Sequence, residues 1–428
     1  MGARIVFIGD DFTGASDSLA AYARRGLRAR LVTGDSAPRT DLDVLGIATD
    51  LRSLPPAQAL ETLHRLWPMV EAEGPEILHL KVCSTFDSAP GVGSIGAVAS
   101  ELRRLYQPDI LAVIGGQPSL GRHCAFGTLF ARGPDGEVHR IDRHPVMARH
   151  PVTPMTEADL ARHLAAQGLD LPLRIAAPDL ADPSRTATQL AEGAALVDVM
   201  SPQDQTLIRA ALDLLPGRKL LIGASSVAEI LGGDLGEAPA QQTTPAQQTT
   251  PAPQTTPAPQ TTPAPQQARR DGGVLVFAGS RSSVTAAQVG AAGAFHRVPL
   301  TPALLSQSGS AGRLAADLPP GRDILMHLIP EADYRRDPAS LADVCASFVQ
   351  EVMTTYPTRA LGLAGGDTSS RIVAQLGFEA LDFDRDFGQG ACVCRGLHVD
   401  QRLDALPILL KGGQMGAPSL FRDFAEAY

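Results

Sequence analysis

The chain has 428 residues, a formal net charge of −9 and 44% hydrophobic residues, which is enough for two ordinary domains with their own cores. The acidic balance without a basic stripe argues against nucleic acid as a partner. No apolar run reaches the ~18 residues that a membrane-spanning helix needs, which argues against a membrane partner. Five scattered cysteines and no recognisable secretory signal favour a cytoplasmic protein.

The first half of the chain alternates short apolar runs with amphipathic stretches, from IVFIG at residues 5–9 to KLLIG at residues 219–223. Strands that alternate with helical patterns predict a mainly parallel sheet flanked by helices. Residues 123–144 differ, because two strand-like runs flank the sequence Gly-Pro-Asp-Gly. This pattern predicts a hairpin beside the sheet.

A repeat of Pro, Ala, Gln and Thr separates the two halves at residues 239–267, and it contains no charged or aromatic side chain. Such a segment cannot bury enough apolar surface to offset the entropy that ordering would cost. We therefore predict a disordered linker at residues 236–270. The predicted domains are residues 1–235 and residues 271–428.

The second half repeats the α/β pattern, and residues 338–356 form its strongest helical segment. In DFDRDF, the carboxylates of Asp382, Asp384 and Asp386 alternate along a strand-like run and are expected to face water. The predicted fold class is thus α/β, with two domains that each have a mainly parallel sheet flanked by helices. Because ligands gather at the carboxyl ends of such strands, we expect the active site in the cleft between the domains.

Polar side chains follow the predicted strands of the first half. Two adjacent acids after the first strand can bind a substrate hydroxyl or take its proton, although Asp11 can instead serve only as a helix cap and Asp87 only as a turn residue. The basic residues can neutralise a carboxylate, and the remaining polar groups can bind hydroxyls. The residues concerned are Asp10, Asp11, Lys81, Ser84, Asp87 and Arg122. Together they predict a site for a small, hydroxyl-rich anion.

Three predicted strand ends of the second half, at residues 277–288, 363–373 and 410–421, are rich in small and polar residues, and two of them are glycine-rich turns. Backbone N–H groups in such turns, together with a helix N-terminus, can bind phosphate. The turns match neither the Walker A pattern nor GxGxxG, and a single Gly-Gly turn can be ordinary strand–helix punctuation. Three such strand ends in one domain favour a nucleotide phosphate site.

Six motifs resemble the four-carbon acid sugar kinase family, whose members phosphorylate acids such as threonate, erythronate and 3-oxo-tetronate with ATP. They are DDFTGASD at residues 10–17, KVCSTFDS at 81–88, RHPVTPM at 149–155, GSRSSVTAAQ at 279–288, GGDTS at 365–369 and LKGGQMG at 410–416. The resemblance implies an acid-sugar-binding N-terminal domain and a nucleotide-binding C-terminal domain. It implies ATP contacts at Ser280, Gly365, Gly366, Asp367, Thr368 and Gly413.

The resemblance also implies substrate contacts at Lys81, Ser84, Asp87 and Arg122 and in the Asp10–Asp11 pair. We hypothesise that Asp11, or else Asp10, orients or deprotonates the substrate hydroxyl. The cofactors are then ATP and Mg²⁺, which stabilises charge on the transferring phosphoryl group together with the glycine turns. No residue is assigned as a metal ligand. The expected enzyme is a phosphotransferase with an alcohol acceptor.

Departures from the family pattern leave the substrate open. Ser94 stands where the family has Asn, and Leu120 stands where it has another Asn. These changes are compatible with one alternative function, namely that of a sugar-acid and nucleotide sensor that has lost turnover. A nicotinamide oxidoreductase is disfavoured because the GxGxxG pattern is missing after the first strand. A haloacid-type phosphatase is disfavoured because Phe12 stands where its Asp-x-Asp motif needs the second acid. A homodimer is compatible with the sequence, which does not decide the oligomeric state.

Overall fold

The structure is a computed structural model that describes residues 2–34, 41–150, 152–232, 270–388 and 390–428. The predicted linker at residues 236–270 lies outside this part of the chain, apart from Arg270. The described residues form two α/β domains, which confirms the predicted fold class. Within these ranges, every helix is too short or too polar to cross a lipid bilayer.

The first domain alternates strands and helices as predicted. Its strands are β1 (Ile5–Gly9), β2 (Ala29–Val32), β3 (Val44–Ala48), β4 (Ile77–Lys81), β5 (Ile110–Gln117), β6 (Arg122–Ala125), β7 (Thr128–Arg132), β8 (Val138–Arg140), β9 (Leu173–Ile175), β10 (Ala195–Asp198) and β11 (Lys219–Gly223). Its helices are α1 (Phe12–Arg24), α2 (Pro56–Glu73), α3 (Ile95–Tyr106), α4 (Leu160–Ala165), α5 (Pro183–Glu192), α6 (Pro202–Asp213) and α7 (Ser226–Leu231).

The main sheet of this domain is parallel, with the order β2-β3-β1-β4-β11-β5-β10-β9. The central strands β1, β4, β5 and β11 are buried along their whole length. Helices that cover both faces of a parallel sheet explain why these strands appear in the sequence as continuous apolar runs. The predicted hairpin is present as β7 and β8, and β6 adds a third antiparallel strand to it.

The second domain has the same architecture with an antiparallel extension. Its strands are β12 (Gly273–Ala278), β13 (His296–Leu300), β14 (Ile324–Leu328), β15 (Thr358–Ala364), β16 (Ala380–Asp386), β17 (Ala391–Leu397) and β18 (Pro407–Lys411). Its helices are α8 (Ser283–Ala291), α9 (Pro302–Ser306), α10 (Ser310–Asp317), α11 (Pro338–Thr355), α12 (Gly366–Leu376) and α13 (Leu420–Ala427). The order is β13-β14-β12-β15-β18-β17-β16, and the last two pairings are antiparallel.

The two sheets join edge to edge through an antiparallel pairing of β16 with β2. Arg30 of β2 reinforces the joint, because its Nε and Nη2 donate to the two carboxylate oxygens of Asp382 at 2.6 and 2.7 Å. Arg24 at the end of α1 likewise donates to Asp386 at 2.8 Å. These two acids remain 43% and 45% exposed, as expected for side chains that face water, and they also pair with arginines of the first domain because β16 lies at the joint.

Candidate active site

The site begins at the turn between β1 and α1, where Asp10 and Asp11 follow the strand directly. Asp11 is the N-cap of α1, and its Oδ1 accepts the N–H of Gly14 at 3.0 Å. Arg52, in a short 3-10 turn after β3, donates from Nε and Nη2 to the two carboxylate oxygens of Asp10 at 3.3 and 3.1 Å. The same Nη2 lies 3.0 Å from Asp11 Oδ1, and Lys81 Nζ lies 3.7 Å from it. Two cations therefore share two carboxylates, of which Asp10 is buried and Asp11 is partly exposed.

Burial is the largest influence on the pKa of both acids, and it opposes their ionisation. At Asp10 burial outweighs the positive charge of Arg52, so the pKa of Asp10 is raised above its ordinary value. At Asp11 the positive charges of Arg52 and Lys81 outweigh burial, so the pKa of Asp11 is lowered. Asp11 therefore stays ionised to a lower pH than Asp10, which accepts a proton more readily.

The loop after β4 brings Asp87 to the same edge of the sheet. Phe86 has a φ of 54°, which a non-glycine residue seldom adopts. Two contacts hold this turn: His163 Nε2 lies 3.1 Å from the Phe86 carbonyl oxygen, and Thr85 Oγ1 donates to Asp87 Oδ1 at 2.5 Å. Ser84 lies on the same loop and is half-buried.

The glycine turns after β12, β15 and β18 meet at the carboxyl edge of the second sheet. The N–H groups of Gly279 and Ser280 donate to the Ala364 carbonyl oxygen at 2.9 and 3.0 Å. A Cβ atom on Gly365 would lie 3.0 Å from Ser280 N, and one on Gly413 would lie 2.5 Å from Ser280 Oγ. The structure thus brings the predicted nucleotide residues together, with Asp367 and Thr368 in the first turn of α12.

The glycine turns of the second domain lie against the acids of the first. A Cβ atom on Gly366 would lie 3.2 Å from Thr13 Oγ1 and 4.0 Å from Asp11 Oδ2. A Cβ atom on Gly412 would lie 3.6 Å from Thr13 Cγ2. The N-termini of α1 and α12 therefore meet across the cleft between the domains.

A cavity of about 360 Å³ opens at this meeting point, and residues of both domains line it. Asp10, Asp11 and Asp87 line it from the first domain, and Gly366 and Arg371 line it from the second. A larger cavity of about 480 Å³ lies elsewhere in the second domain, around the start of β15. It is distant in the fold from the glycine turns, which follow the ends of the strands.

Two predicted carboxylate-binding residues do not line the cleft cavity. The side chain of Lys81 is only 5% exposed and is directed at Asp11. Arg122 donates from Nη1 to the carbonyl oxygen of Leu120, and its buried Nε has no hydrogen-bond partner among the described residues. Ser84 is also absent from the lining. Of the predicted substrate contacts, the acidic residues thus line the cavity and the basic residues do not.

Lys411 is a functional candidate that the sequence reasoning quoted within LKGGQMG but did not single out. Its side chain is buried, and Nζ donates to Thr285 Oγ1 at 2.9 Å and to Gln288 Oε1 at 2.7 Å. Thr285 Oγ1 donates to the Gly413 carbonyl oxygen at 2.9 Å, and Gln288 Nε2 donates to the Met415 carbonyl oxygen at 3.0 Å. Burial lowers the pKa of Lys411 to about 8. The amine thus anchors the turn after β18 through α8.

Arg52 was also missed, although a signal was available, since it follows a strand that lies beside β1 in the sheet. Arg371 and His150 line the cavity as well. His150 belongs to the RHPVTPM motif, and its Nδ1 accepts the N–H of Thr153 at 3.1 Å. Arg371 lies in α12, beyond the glycines that drew attention to that segment.

Comparison with known proteins finds two family models that match successive parts of the chain. Residues 5–231 match a family model described as a sugar-binding N-terminal domain. Residues 275–421 match one described as a nucleotide-binding C-terminal domain.

Relatives and solved structures cover nearly the whole chain. A 3-oxo-isoapionate kinase of Paraburkholderia graminis is 31% identical, covering 98% of this chain and 93% of the relative. A D-threonate kinase of Salmonella typhimurium is 24% identical over 98% of this chain and 97% of its own. A 3-oxo-tetronate kinase of Cupriavidus necator is 28% identical, with 97% and 94% covered.

Two solved structures share the fold over 99% of both chains. One, from Salmonella typhimurium LT2 and described as a tRNA synthase, has a TM-score of 0.78 at 20% identity. The other, from Haemophilus influenzae, has a TM-score of 0.70 at 22% identity. Both family models, in this order along the chain, and kinase relatives of matching length lead to one assignment. The chain belongs to the four-carbon acid sugar kinase family.

Proposed function

We propose that this protein is an ATP-dependent kinase that phosphorylates a hydroxyl group of a small sugar acid. The observation that carries the proposal is the approach of Gly366 to Asp11 and Thr13 across the cleft. A nucleotide held by the glycine turns would present its terminal phosphate to the acids that follow β1. Phosphoryl transfer depends chiefly on positioning and on charge stabilisation, and this arrangement provides for both.

The nucleotide phosphates are assigned to the turns after β12, β15 and β18. Backbone N–H groups and the N-terminus of α12 favour an anion at this place. Lys411 fixes one of the turns from behind and acts through Thr285 and Gln288. The proposed ATP contacts are Ser280, Gly365, Gly366, Asp367, Thr368 and Gly413.

Asp11 is the proposed catalytic carboxylate. Its side chain is 21% exposed, against 8% for Asp10, whose two oxygens are both occupied by Arg52. Asp11 accepts the proton of the substrate hydroxyl as the phosphoryl group is transferred, and a lowered pKa suffices if the proton leaves late. Asp10 positions Arg52, and Lys81 keeps Asp11 ionised.

The remaining substrate contacts follow from the strand ends. Asp87 lines the cavity and can accept hydrogen bonds from substrate hydroxyls. Ser84 belongs to the same loop, and Arg122 offers its buried Nε–H. Because neither residue lines the cleft cavity, we assign neither of them a substrate contact.

Mg²⁺ is proposed to enter with ATP. The described residues contain no cluster of three or more side chains that could hold a metal alone. Mg²⁺ in nucleotide sites needs only one or two carboxylates beside the phosphates, and Asp11 is a carboxylate that lies against the glycine turns. When bound, the ion neutralises charge on the phosphate oxygens.

An ATP-coupled screen of four- to six-carbon aldonic and keto-aldonic acids tests the proposal. The wild-type protein should consume ATP with at least one acid, and the Asp10→Ala/Asp11→Ala double variant should lose nearly all of this turnover. Because Asp11 caps α1, its loss also costs about 0.5–2 kcal/mol of stability, so Asp11→Asn is included as a variant that keeps a capping side chain. Glu61→Ala on the exposed face of α2 is the control for removing a carboxylate.

Near-normal turnover by a folded double variant would refute the assignment of these acids. The alternative, a sensor without turnover, predicts a different result. In that case ATP and a sugar acid would raise the melting temperature of the wild-type protein, while no ATP is consumed under any condition of the screen.

A further inference from the structure

The cleft cavity is lined by more negative than positive side chains, which is unexpected for a site that takes an acid. The carboxylates in its wall are Asp10, Asp11, Asp50, Asp87 and Asp337. The arginines in its wall are Arg52 and Arg371. An anionic substrate therefore needs a cation that can release the partner it has in the free protein.

Arg52 is poorly suited to this task because its guanidinium is already occupied. It donates to both oxygens of Asp10 and lies 3.0 Å from Asp11 Oδ1. A substrate carboxylate at Arg52 would have to displace a buried carboxylate and leave that charge unpaired, which is costly.

Arg371 is differently placed, on the second turn of α12 and 43% exposed. Its Nε lies 3.3 Å from Asp343 Oδ1, and its Nη2 lies 3.7 Å from Asp50 Oδ2. Both partners are well exposed, with 61% and 43% of their side chains accessible. Exposed ion pairs at such distances are weak, so either carboxylate can be exchanged for another at little cost.

We propose that Arg371 of the nucleotide-binding domain recognises the substrate carboxylate, which takes the place of Asp50 on its guanidinium. The planar guanidinium can then bind the substrate carboxylate with two parallel hydrogen bonds. The second domain thereby selects an acid over a neutral polyol, while the first domain binds the hydroxyl groups. This inference rests on the proposed function, because it specifies how that substrate class is selected.

The geometry also gives Asp50 a role as the competitor of the substrate. Asp50 follows β3 in the first domain, and Arg371 spans the cleft between it and Asp343 on α11. In the free protein this bridge ties the two domains at the mouth of the cavity. Removing the Asp50 charge should therefore free Arg371 for the substrate.

The test compares a sugar acid that the wild-type protein accepts with the corresponding aldonamide, which has the same hydroxyl groups and no charge. For Arg371→Gln, kcat/KM for the acid should fall about 10- to 100-fold, the range expected for a charge-assisted hydrogen-bonding pair. The value for the amide and the KM for ATP should stay near those of the wild type. Arg371→Lys should restore part of the preference for the acid, and Asp50→Asn should lower the KM for the acid alone.

An equal loss on acid and amide would overturn the inference, because it would indicate a merely structural role for Arg371. So would an unchanged acid preference in Arg371→Gln, which would assign the carboxylate to another residue. Calorimetric binding of acid and amide without ATP gives the same comparison independently of phosphoryl transfer. Absence of turnover with Arg371-dependent binding of the acid would refute the kinase function and support the inference, and absence of acid binding by the wild type would refute the inference.

Discussion

Gly279 lies at the carboxyl end of β12, where a Cβ atom would lie 2.7 Å from Thr368 Cβ and 2.8 Å from Thr368 Cγ2. Carbon atoms in contact are normally ~3.5–4.0 Å apart, so Gly279→Ala requires a separation of about 1 Å at this point. Rotation of Thr368 cannot relieve the contact, since its Cβ is itself involved and the residue is buried. The first turn of α12, which contains Thr368, must move instead.

The size of the effect follows from this displacement. Overpacking of this kind costs about 1–3 kcal/mol of stability. The turn that moves contains Gly366, whose backbone N–H we assign to the nucleotide phosphates, whereas the N–H of Gly365 already donates to the Lys411 carbonyl oxygen at 3.1 Å. A shift of about 1 Å takes a hydrogen bond out of range, and losing one charge-assisted bond weakens ATP binding roughly 10- to 100-fold.

The assay is calorimetric titration with a non-hydrolysable ATP analogue, combined with thermal unfolding. Gly290→Ala in α8 is the matched control, because a Cβ atom there would have no atom within 4 Å. This control should leave nucleotide affinity unchanged and add up to about 1 kcal/mol of stability through helix propensity. If Gly279→Ala bound the analogue as tightly as the wild type and melted at the same temperature, the packing argument for these turns would be wrong.

Two further variants test the electrostatics and the backbone. Burial lowers the pKa of Lys411 from 10.5 in the unfolded chain to about 8. Between these two pH values the unfolded chain binds more protons than the folded protein. The free energy of unfolding should therefore increase as the pH rises from about 8 to 10.5. Urea unfolding at about pH 7.5 and about pH 9.5 should show this gain in the wild type and not in Lys411→Met; equal pH slopes would contradict it. Gln107 ends α3 at an exposed position in the left-handed conformation, with φ 48° and ψ 63°, which strains a residue other than glycine. Gln107→Gly should therefore stabilise the protein by about 1 kcal/mol. An unchanged or lower melting temperature would argue against backbone strain at this residue.

The parallel strands could be predicted because burial on both faces leaves a continuous apolar run in the sequence, as in β4 and β11. The strands β2, β13 and β17 were not predicted, and β16 was recognised only as a strand-like run of alternating acids. β16 ends in exposed, charged residues, and it becomes a strand because β17 and β2 supply partners on both sides. Strand formation of this kind depends on tertiary contacts rather than on local pattern.

The candidate site could be located from strand ends, but its wall could not. The position of Asp10 and Asp11 after β1 and the glycines after β15 predicted where the domains would face each other. Whether a polar side chain points into the cavity or into the protein interior depends on its neighbours in space, and these cannot be identified from the sequence. Lys81 therefore looked like a substrate contact although it is directed at Asp11, and Arg52 was overlooked although it binds both acids.

The joint between β2 and β16 bears on how this protein can vary over time. Because strand pairing and the Arg30–Asp382 contact set where one lobe lies on the other, the catalytic groups keep their positions whatever covalent tether runs from residue 232 to residue 270. In general, doubling the length of a loop raises the entropic cost of closing it by only about 0.6 kcal/mol. Changes in the number of six-residue repeats at residues 239–267 are therefore expected to have little effect on catalysis.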